Sequence, residues 1–413
     1  MNIFKFFFPG EETIPQHPFF KTDKLNPQNI HYGVFNKQFM EKYFNYTHSF
    51  DIRRNNDNTY PFVQKINLPG LIYSRTTFTW KGVSYEVTNQ LGQGATGTVF
   101  GIRYKDNNNY VENKCILKII HKNERRDTIN ELLIQTICYE TLVNSDEYKR
   151  DPRKYSKIPQ IHGMFSLSNV HDAILMEHVG STLDSIFIKF MGVKKYEYTF
   201  LLSSYQIMNT LSVLSKYLYF DHRDLKPNNI MYKTVQGITN SNGYPIIQTY
   251  IIDFGNSFVK LSSDYTISAG SEFTSNVHIP HRDIIFFMFH MLSILKCGES
   301  THPNKKCKPA LNDSVYTTIA NYITRFLNGY QKNDQNQTTP AEYEGYDDGN
   351  KPKWWKIYLE LNNDTQEPFN ENDTEHVNNT FREIRSYIVR ALKDIARDQT
   401  TSSEPYFFGK NKI

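Results

Sequence analysis

The sequence predicts an α+β fold with two lobes, a small strand-rich lobe followed by a larger helical lobe. Between residues 77 and 180, apolar and polar residues alternate in short runs, which is typical of strands. Beyond residue 181, apolar residues recur every three or four positions over long segments, as in helices that bury one face. The chain of 413 residues is long enough to bury a sizeable core in one large or two modest domains.

These patterns divide the chain into three parts. Residues 1–76 show no clear periodicity, and we interpret them as an N-terminal extension that packs on the domain that follows. Residues 77–180 form the first lobe, and residues 181–413 form the second. Within the second lobe, the stretches 328–352 and 362–376 are rich in Asn, Asp, Gln and Thr. We expect polar surface insertions at these two places.

The first lobe begins with a predicted hairpin. Phe78 and Trp80 alternate with polar residues, and the pair Lys81 and Gly82 then supplies a turn. Apolar and polar residues alternate again as far as Val87. This arrangement predicts two antiparallel strands joined by a two-residue turn.

The rest of the chain continues the change from strands to helices. Four segments of the second lobe repeat apolar residues at helical spacing. The predicted elements after the hairpin are a strand beginning at Val99, a strand over 115–120, a helix over 124–143, strands over 158–165 and 172–179, and helices over 200–218, 284–295, 315–327 and 377–395.

The composition excludes two broad classes of protein. Apolar residues make up 39% and aromatic residues 15% of the chain, so it is not wholly disordered. The 47 basic and 43 acidic residues leave a net charge of +4, which is too weak to predict a nucleic-acid partner. The chain is rich in Asn and poor in Ala, as expected of an AT-rich genome.

No segment has the pattern of a membrane span. The longest apolar run, 284–295, has twelve residues and contains His290 and Ser293, whereas a span needs about 20. Residues 1–9 are interrupted by Lys5 and lack the basic start and cleavage site of a signal peptide. Four cysteines form no Cys-x-x-Cys pair, which favours reduced thiols. We therefore expect an intracellular, cytoplasmic protein that does not bind membranes.

A glycine-rich run joins two predicted strands. It is formed by Leu91, Gly92, Gln93, Gly94, Ala95, Thr96, Gly97, Thr98 and Val99. Glycines allow a backbone to approach a triphosphate closely. A dinucleotide fingerprint would continue as a helix, but the residues after this run continue as a strand. The pattern therefore argues against a dinucleotide-binding fold.

A lysine follows within an apolar strand. Lys118 ends the run from Cys115 to Lys118, and a charge in such a place is costly unless it is paired. The next predicted helix offers two carboxylates, Glu131 and Glu140. The helical wheel does not separate them, because both helix faces are largely apolar. We choose Glu131 as the partner and retain Glu140 as its rival.

The most specific signal is the string His-Arg-Asp-Leu-Lys-Pro-Asn-Asn at residues 222–229. Asp224 can accept the proton of an attacking hydroxyl group, and Lys226 can neutralise a phosphoryl group in transfer. Asn229 offers an amide oxygen to Mg²⁺. Asp253, which begins an Asp-Phe-Gly sequence after an apolar strand, offers a second oxygen ligand.

From about Thr77 to Leu295, the chain resembles the eukaryotic-type protein kinases, with the motifs in the order of that family. The resemblance implies a bilobal kinase fold with ATP in the cleft between the lobes. It implies that the run 91–99 covers the phosphates and that Lys118, paired with Glu131, holds them. It also implies a protein substrate. The composition suggests a divergent member from a large DNA virus or an AT-rich protist, and a viral member is expected in the host-cell cytoplasm or the virion.

The resemblance assigns the remaining roles in the second lobe and at its border. Asp224 is the expected catalytic base, with Asn229 and Asp253 as the expected Mg²⁺ ligands. Lys226 matches the pattern of serine/threonine kinases. The expected hinge, residues 175–180, follows the last strand of the first lobe.

Three residues of this hinge have expected places at the nucleotide. Glu177 and Val179 would meet adenine through their backbone groups. Met176 would be the gatekeeper beside it.

Two departures from the family pattern leave alternatives open. The stretch between Asn229 and Asp253 is longer than usual, which predicts an extended hairpin. No Ala-Pro-Glu follows Gly255, and Ser271-Glu272-Phe273 is the nearest candidate. The alternatives are therefore a pseudokinase scaffold and a small-molecule phosphotransferase with the same fold. The sequence does not determine the oligomeric state.

A second His-Arg-Asp occurs at residues 281–283, without the Leu-Lys-Pro-x-Asn that follows the first. It runs directly into an apolar helix. We interpret Asp283 as a structural residue that binds the backbone of the catalytic loop.

Overall fold

The computed structural model of the chain describes both lobes and short pieces of the N-terminal extension. The described residues are 20–21, 34–35, 50–51, 64–66, 75–93, 97–106, 109–121, 125–167, 171–183, 185, 193–239, 244–262, 265–269, 278, 281–297, 315, 317–319, 321–322 and 371–397. The predicted insertion at 328–352 and residues 94–96 of the glycine-rich run lie outside them.

Seven strands form the sheet of the first lobe. The strands are β4 (Gln64–Ile66), β5 (Thr77–Trp80), β6 (Val83–Gln93), β7 (Gly97–Asp106), β8 (Asn109–His121), β9 (Ile161–Leu167) and β10 (His171–Glu177). They lie in the order β4, β9, β10, β8, β7, β6, β5, and all neighbours are antiparallel except β4 and β9. The extension therefore contributes an edge strand, β4. Three shorter strands before it, β1 (Phe20–Lys21), β2 (Val34–Phe35) and β3 (Phe50–Asp51), form a separate sheet.

The predicted first hairpin is confirmed. Trp80 pairs with Val83 across the turn, in which Lys81 and Gly82 have φ values of 48° and 78°. Two positive φ values match the two-residue turn that follows the twist of the strands. Trp80 packs against Phe165 of β9, with ring centroids 4.9 Å apart, so the alternation marks the buried face of the sheet.

Four predicted helices are present, and three of them are longer than the apolar patterns that indicated them. They are α1 (Arg125–Asn144), α3 (Val193–Leu218), α4 (Arg282–Cys297) and α5 (Glu371–Arg397). A short helix that the sequence did not predict, α2 (Asp146–Arg150), follows α1. Residues 323–327 of the predicted helix 315–327 lie outside the described residues. Among residues 315–322, those described are helical, and Val315 and Ile319 are buried. Helix α1 packs between the first-lobe sheet and α3, which explains why both of its faces are apolar.

Helix α5 corrects one boundary. We expected residues 362–376 to be a polar insertion, but α5 begins at Glu371, so the last six residues of that stretch are helical. The apolar repeat begins only at Val377. Periodicity marks the part of a helix that packs on a core, and six polar residues at the start of a helix carry no such signal.

The extra residues between Asn229 and Asp253 form the expected long hairpin. Its strands are β12 (Ile230–Thr239) and β13 (Pro245–Ile251), and β12 also pairs with the short strand β11 (Ser181–Thr182). The chain then forms a further pair, β14 (Phe258–Ser262) with β15 (Tyr265–Ser268). The hairpin thus lies against the segment that joins the two lobes.

In the part of the chain that the structure describes, no helix is long and apolar enough to cross a membrane.

Two glycines of the glycine-rich run have different structural roles, and this difference can be tested. A methyl group at Gly97 would overlap the carbonyl oxygen of Ile119 on β8, whereas one at Gly92 would meet nothing within 4 Å. We expect Gly97→Ala to lower the free energy of unfolding by about 1–3 kcal/mol, since the backbone of β8 would have to move. Gly92→Ala, the matched control, should change it by less than about 0.5 kcal/mol. Urea unfolding measures both, and equal losses would contradict the close approach at Gly97.

Candidate active site

The central ion pair of the site joins the first-lobe sheet to helix α1. Strand β8 holds Lys118 between β7 and β10, and α1, which packs on β8 and β9, carries Glu131. Lys118 Nζ lies 2.7 Å from Glu131 Oε1, and the two side chains are only 17% and 11% exposed. The structure thus selects Glu131 over Glu140, whose Oε2 accepts a hydrogen bond from Asn144 Nδ2 at 3.2 Å. Each charge offsets the cost of burying the other.

Helix α1 is held on both sides of Glu131. Asn130 Nδ2 donates to the carbonyl of Ser268 on β15 at 2.8 Å. Gln135 Nε2 donates to the carbonyl of Pro159 before β9 at 3.0 Å. These bonds connect the helix to both lobes, so the position of Glu131 depends on tertiary contacts as well as on the helix itself.

Residues 222–229, which we call the catalytic string or catalytic loop after their expected role, fold so that three of their side chains meet. Lys226 Nζ lies 3.0 and 2.8 Å from the two carboxylate oxygens of Asp224. Asn229 Nδ2 donates to the carbonyl oxygen of Asp224 at 2.8 Å and to its Oδ2 at 2.9 Å. A 3₁₀ turn over Pro227–Asn229 brings Asn229 back to Asp224. The carboxylate of Asp224 is therefore oriented by two donors from its own loop.

The backbone of this loop is bound by Asp283, as the second His-Arg-Asp predicted. Asp283 Oδ2 accepts the N–H of His222 at 2.7 Å, and its Oδ1 accepts the N–H of Arg223 at 2.9 Å. Burial and the nearby Asp221 carboxylate raise the pKa of Asp283, while Arg282 and the backbone bond from His222 oppose that rise. Residue Asp283, at the start of α4, thus fixes the two residues before Asp224.

A second buried carboxylate, Asp221, was not recognised from the sequence. Asp221 Oδ1 lies 3.1 Å from His278 Nδ1, and its Oδ2 lies 3.5 Å from Arg282 Nη2. Burial alone would raise the pKa of Asp221, but His278, Arg282 and Arg223 together lower it below its usual value. Its place directly before the catalytic string was the only available signal.

Asp253 lies beside the ion pair. It follows β13 with a φ of 64° and is exposed. A methyl group on Gly255 would lie 3.4 Å from Asp253 Oδ1 and 3.9 Å from Glu131 Oε2, so both carboxylates face the same space. The N–H of Ile252 donates to the carbonyl of Asn229 at 3.0 Å. This bond joins the segments that carry Asn229 and Asp253.

Phe254 anchors this segment in the core. It is fully buried, and its ring centroid lies 5.4 Å from that of His222 and 5.9 Å from that of Phe220. His222 Nε2 donates to the carbonyl of Ile252 at 2.9 Å. Side-chain packing and a hydrogen bond therefore hold Asp253 in register with the catalytic loop.

The segment predicted as the hinge follows β10 and packs on the long hairpin. The N–H of Glu177 donates to the carbonyl of Gln160 at 2.8 Å. The Glu177 carboxylate lies 3.6 Å from Lys233 Nζ on β12, and Val179 is buried. A side chain at Gly180 would overlap the carbonyl oxygen of Tyr232, so the hinge and hairpin approach closely.

The glycine-rich run is described at its two ends. Gly92 pairs with Val99 and Gln93 with Thr98, where β6 and β7 meet. Leu91 is 48% exposed. Its central residues, 94–96, lie outside the described residues, so their role stays a prediction.

The donor atoms of the site fit a hard divalent cation. Because the amide nitrogen of Asn229 binds Asp224, its amide oxygen is the atom that can coordinate metal. Asp253 adds an exposed carboxylate. Amide and carboxylate oxygens are suitable ligands for Mg²⁺. We find no group of three or more His, Cys, Asp or Glu residues in the described ranges that could hold a metal by itself.

Part of the chain matches a known protein family. A family model, Protein kinase domain, matches residues 85–276 of the chain. A crystal structure of the BubR1 kinase domain is 15% identical with a TM-score of 0.38, over 82% of this chain and 92% of that one. A structure of vaccinia related kinase 3 is 14% identical with a TM-score of 0.42, over 77% of this chain and 94% of that one. No curated protein sequence matches the chain.

Asp283 provides a test of how the loop is positioned. In Asp283→Asn, one carboxylate oxygen becomes an NH₂ group that cannot accept the N–H of His222 or Arg223. We expect the free energy of unfolding to fall by about 1–3 kcal/mol because a buried N–H loses its acceptor. Hydrogen exchange should also become faster at residues 222 and 223. Asp394→Asn, at an exposed position on α5, is the matched control. Unchanged exchange at those two residues would show that Asp283 does not hold the loop.

Proposed function

We propose that this chain, whose residues 85–276 belong to the protein kinase domain family, is an active serine/threonine protein kinase. It would transfer the γ-phosphoryl group of ATP to a hydroxyl group of a protein. The observation that carries the proposal is the 2.7 Å ion pair of Lys118 and Glu131, which lies beside Asp253. Phosphoryl transfer from ATP needs a strand lysine that is ion-paired with a helix glutamate and a nearby carboxylate that can bind Mg²⁺.

Lys118 and the hinge would bind the nucleotide. Glu131 lies 2.7 Å from the Lys118 ammonium and would hold it in place to contact the phosphates. The run 91–99 would cover the phosphates with backbone N–H groups, and the backbone of Glu177 and Val179 would meet adenine. Asn229 and Asp253 would hold Mg²⁺, which supplies neutralisation of phosphate charge when it is bound.

Asp224 would act as the general base. The acceptor hydroxyl oxygen forms a bond to the γ-phosphorus, the bond from that phosphorus to the bridging oxygen breaks, and ADP leaves with the electron pair. The hydroxyl proton passes to the Asp224 carboxylate. Lys226, 2.8 Å from that carboxylate, balances the negative charge near the transferring group. Asn229 keeps the carboxylate oriented throughout.

The serine/threonine preference is supported by Lys226 in the catalytic string. No Ala-Pro-Glu sequence follows Gly255, so small molecules are tested as acceptors beside proteins. A pseudokinase and a small-molecule phosphotransferase are the outcomes that an activity test must separate from it.

Transfer of label from γ-labelled ATP tests the proposal directly. The acceptors are the chain itself, generic basic proteins, an aminoglycoside and choline, each with Mg²⁺. We expect Asp224→Asn to lower transfer by about 100-fold or more, because general base catalysis is lost. Lys118→Met and Asp253→Ala should lower it similarly. Lys149→Met and Asp394→Asn, both at exposed positions, should transfer label like the wild type.

The result decides among the three functions. Label on Ser and Thr of a protein, lost in the three site variants, supports the kinase. Label on the small molecules alone supports the small-molecule phosphotransferase. A folded chain that binds ATP without any transfer supports the pseudokinase, and equal transfer by all variants contradicts the proposed site.

A further inference from the structure

The C-terminal helix α5 contacts the residue at which helix α4 begins. Helix α5 lies entirely outside residues 85–276, which match the kinase family model. His281 Nε2 donates to Asn378 Oδ1 at 2.9 Å. The His281 ring stacks on the ring of Phe381, with centroids 3.7 Å apart and planes 9° apart. Asn378 and Phe381 are one turn apart on α5 and are both buried, so two contacts hold one imidazole ring.

His281 needs such contacts because of its backbone. It has a φ of 63°, in the left-handed region that residues other than glycine rarely adopt. Its carbonyl accepts the N–H of Ile285 at 3.3 Å, the first hydrogen bond of α4. A conformation of this kind persists only where its surroundings hold it. Among the described residues, the stack on Phe381 and the hydrogen bond to Asn378 are contacts that hold this turn.

The turn at His281 leads directly to the residues that hold the catalytic loop. The next residue, Arg282, lies 3.5 Å from Asp221 at the start of that loop. The residue after it, Asp283, binds the N–H groups of His222 and Arg223. A shift of the turn would therefore reach the backbone next to Asp224 through short, buried contacts.

Helix α5 is held independently of His281. Arg385 Nη2 donates to Asn209 Oδ1 on α3 at 3.0 Å. Further along α5, Ile384, Ile388 and Leu392 are fully buried in the main core. The helix can therefore serve as a fixed support for the turn at His281.

We propose that His281 is a positioning residue for the catalytic loop, and that Asn378 and Phe381 of helix α5 set its position. The C-terminal helix is thereby part of the support of the active site. Its effect on catalysis rests on the proposed kinase function. Its effect on the backbone of the loop does not.

The test compares variants that release His281 with one that only weakens the core. Phe381→Ala removes the ring on which His281 stacks. Asn378→Ala removes the acceptor of the His281 hydrogen bond and keeps the Phe381 ring. Phe381→Tyr keeps an aromatic ring and should rescue the stack. Ile388→Ala is the control, because it creates a cavity on the same helix two turns from Phe381. All are made in the full chain and measured well below their melting temperatures.

Two readouts are used, and one of them needs no activity. Hydrogen exchange of the segment 219–226 should be faster in Phe381→Ala and Asn378→Ala and unchanged in Phe381→Tyr and Ile388→Ala. In the transfer assay, Phe381→Ala should lower kcat about tenfold with the KM for ATP within about twofold, because a misplaced base slows chemistry without weakening nucleotide binding. Asn378→Ala provides both readouts if Phe381→Ala does not fold.

The outcomes separate this inference from the proposed function. Unchanged exchange at 219–226 in the folded His281-releasing variants overturns the inference. Faster exchange of the same size in Ile388→Ala also overturns it, since general loss of stability then explains the effect. If exchange is faster only in Phe381→Ala and Asn378→Ala, α5 positions the catalytic loop. If the wild type also transfers no label, the kinase proposal is contradicted while this inference stands.

Discussion

The loop that carries Asp224 depends on one buried carboxylate, that of Asp283. A charge in the protein interior is costly unless hydrogen bonds and opposite charges surround it. Asp283 meets this requirement by accepting the backbone N–H groups of His222 and Arg223 and by lying near Arg282. The same bonds make the catalytic loop and helix α4 a single unit. Asp224 therefore has a defined place before any substrate is bound.

The second part of the site comes from the first lobe, and it meets the first at Asp253. Helix α1 brings Glu131 to Lys118, and its hydrogen bonds to Ser268 and Pro159 reach both lobes. Because Glu131 and Asp253 face the same space beside Gly255, the ion pair and the candidate metal ligand are neighbours. The first lobe thus contributes Lys118 and Glu131, and the second lobe contributes Asp253, to one group of neighbouring charges.

Local sequence patterns were sufficient to predict most helices and strands, but not the residues at which they begin or the strands with which they pair. The strand around Trp80 and helix α3 can be predicted from the sequence because each buries one face, which gives its apolar residues a regular spacing. The start of α5 at Glu371 was missed, since its polar residues carry no repeat. The parallel pairing of β4 with β9 was missed as well, because three residues without alternation do not indicate a partner.

The sequence by itself determined the catalytic string, the Asp-Phe-Gly sequence and the lysine in its strand, because each requires particular residue types at short, fixed spacing. Only the tertiary structure decided which glutamate meets Lys118, since the helical wheel leaves Glu131 and Glu140 equivalent. It also decided that His278 meets Asp221 and that α5 meets His281. These partners lie 57 and 97 residues apart, and spacing of that length carries no information about contact until the core brings the segments together.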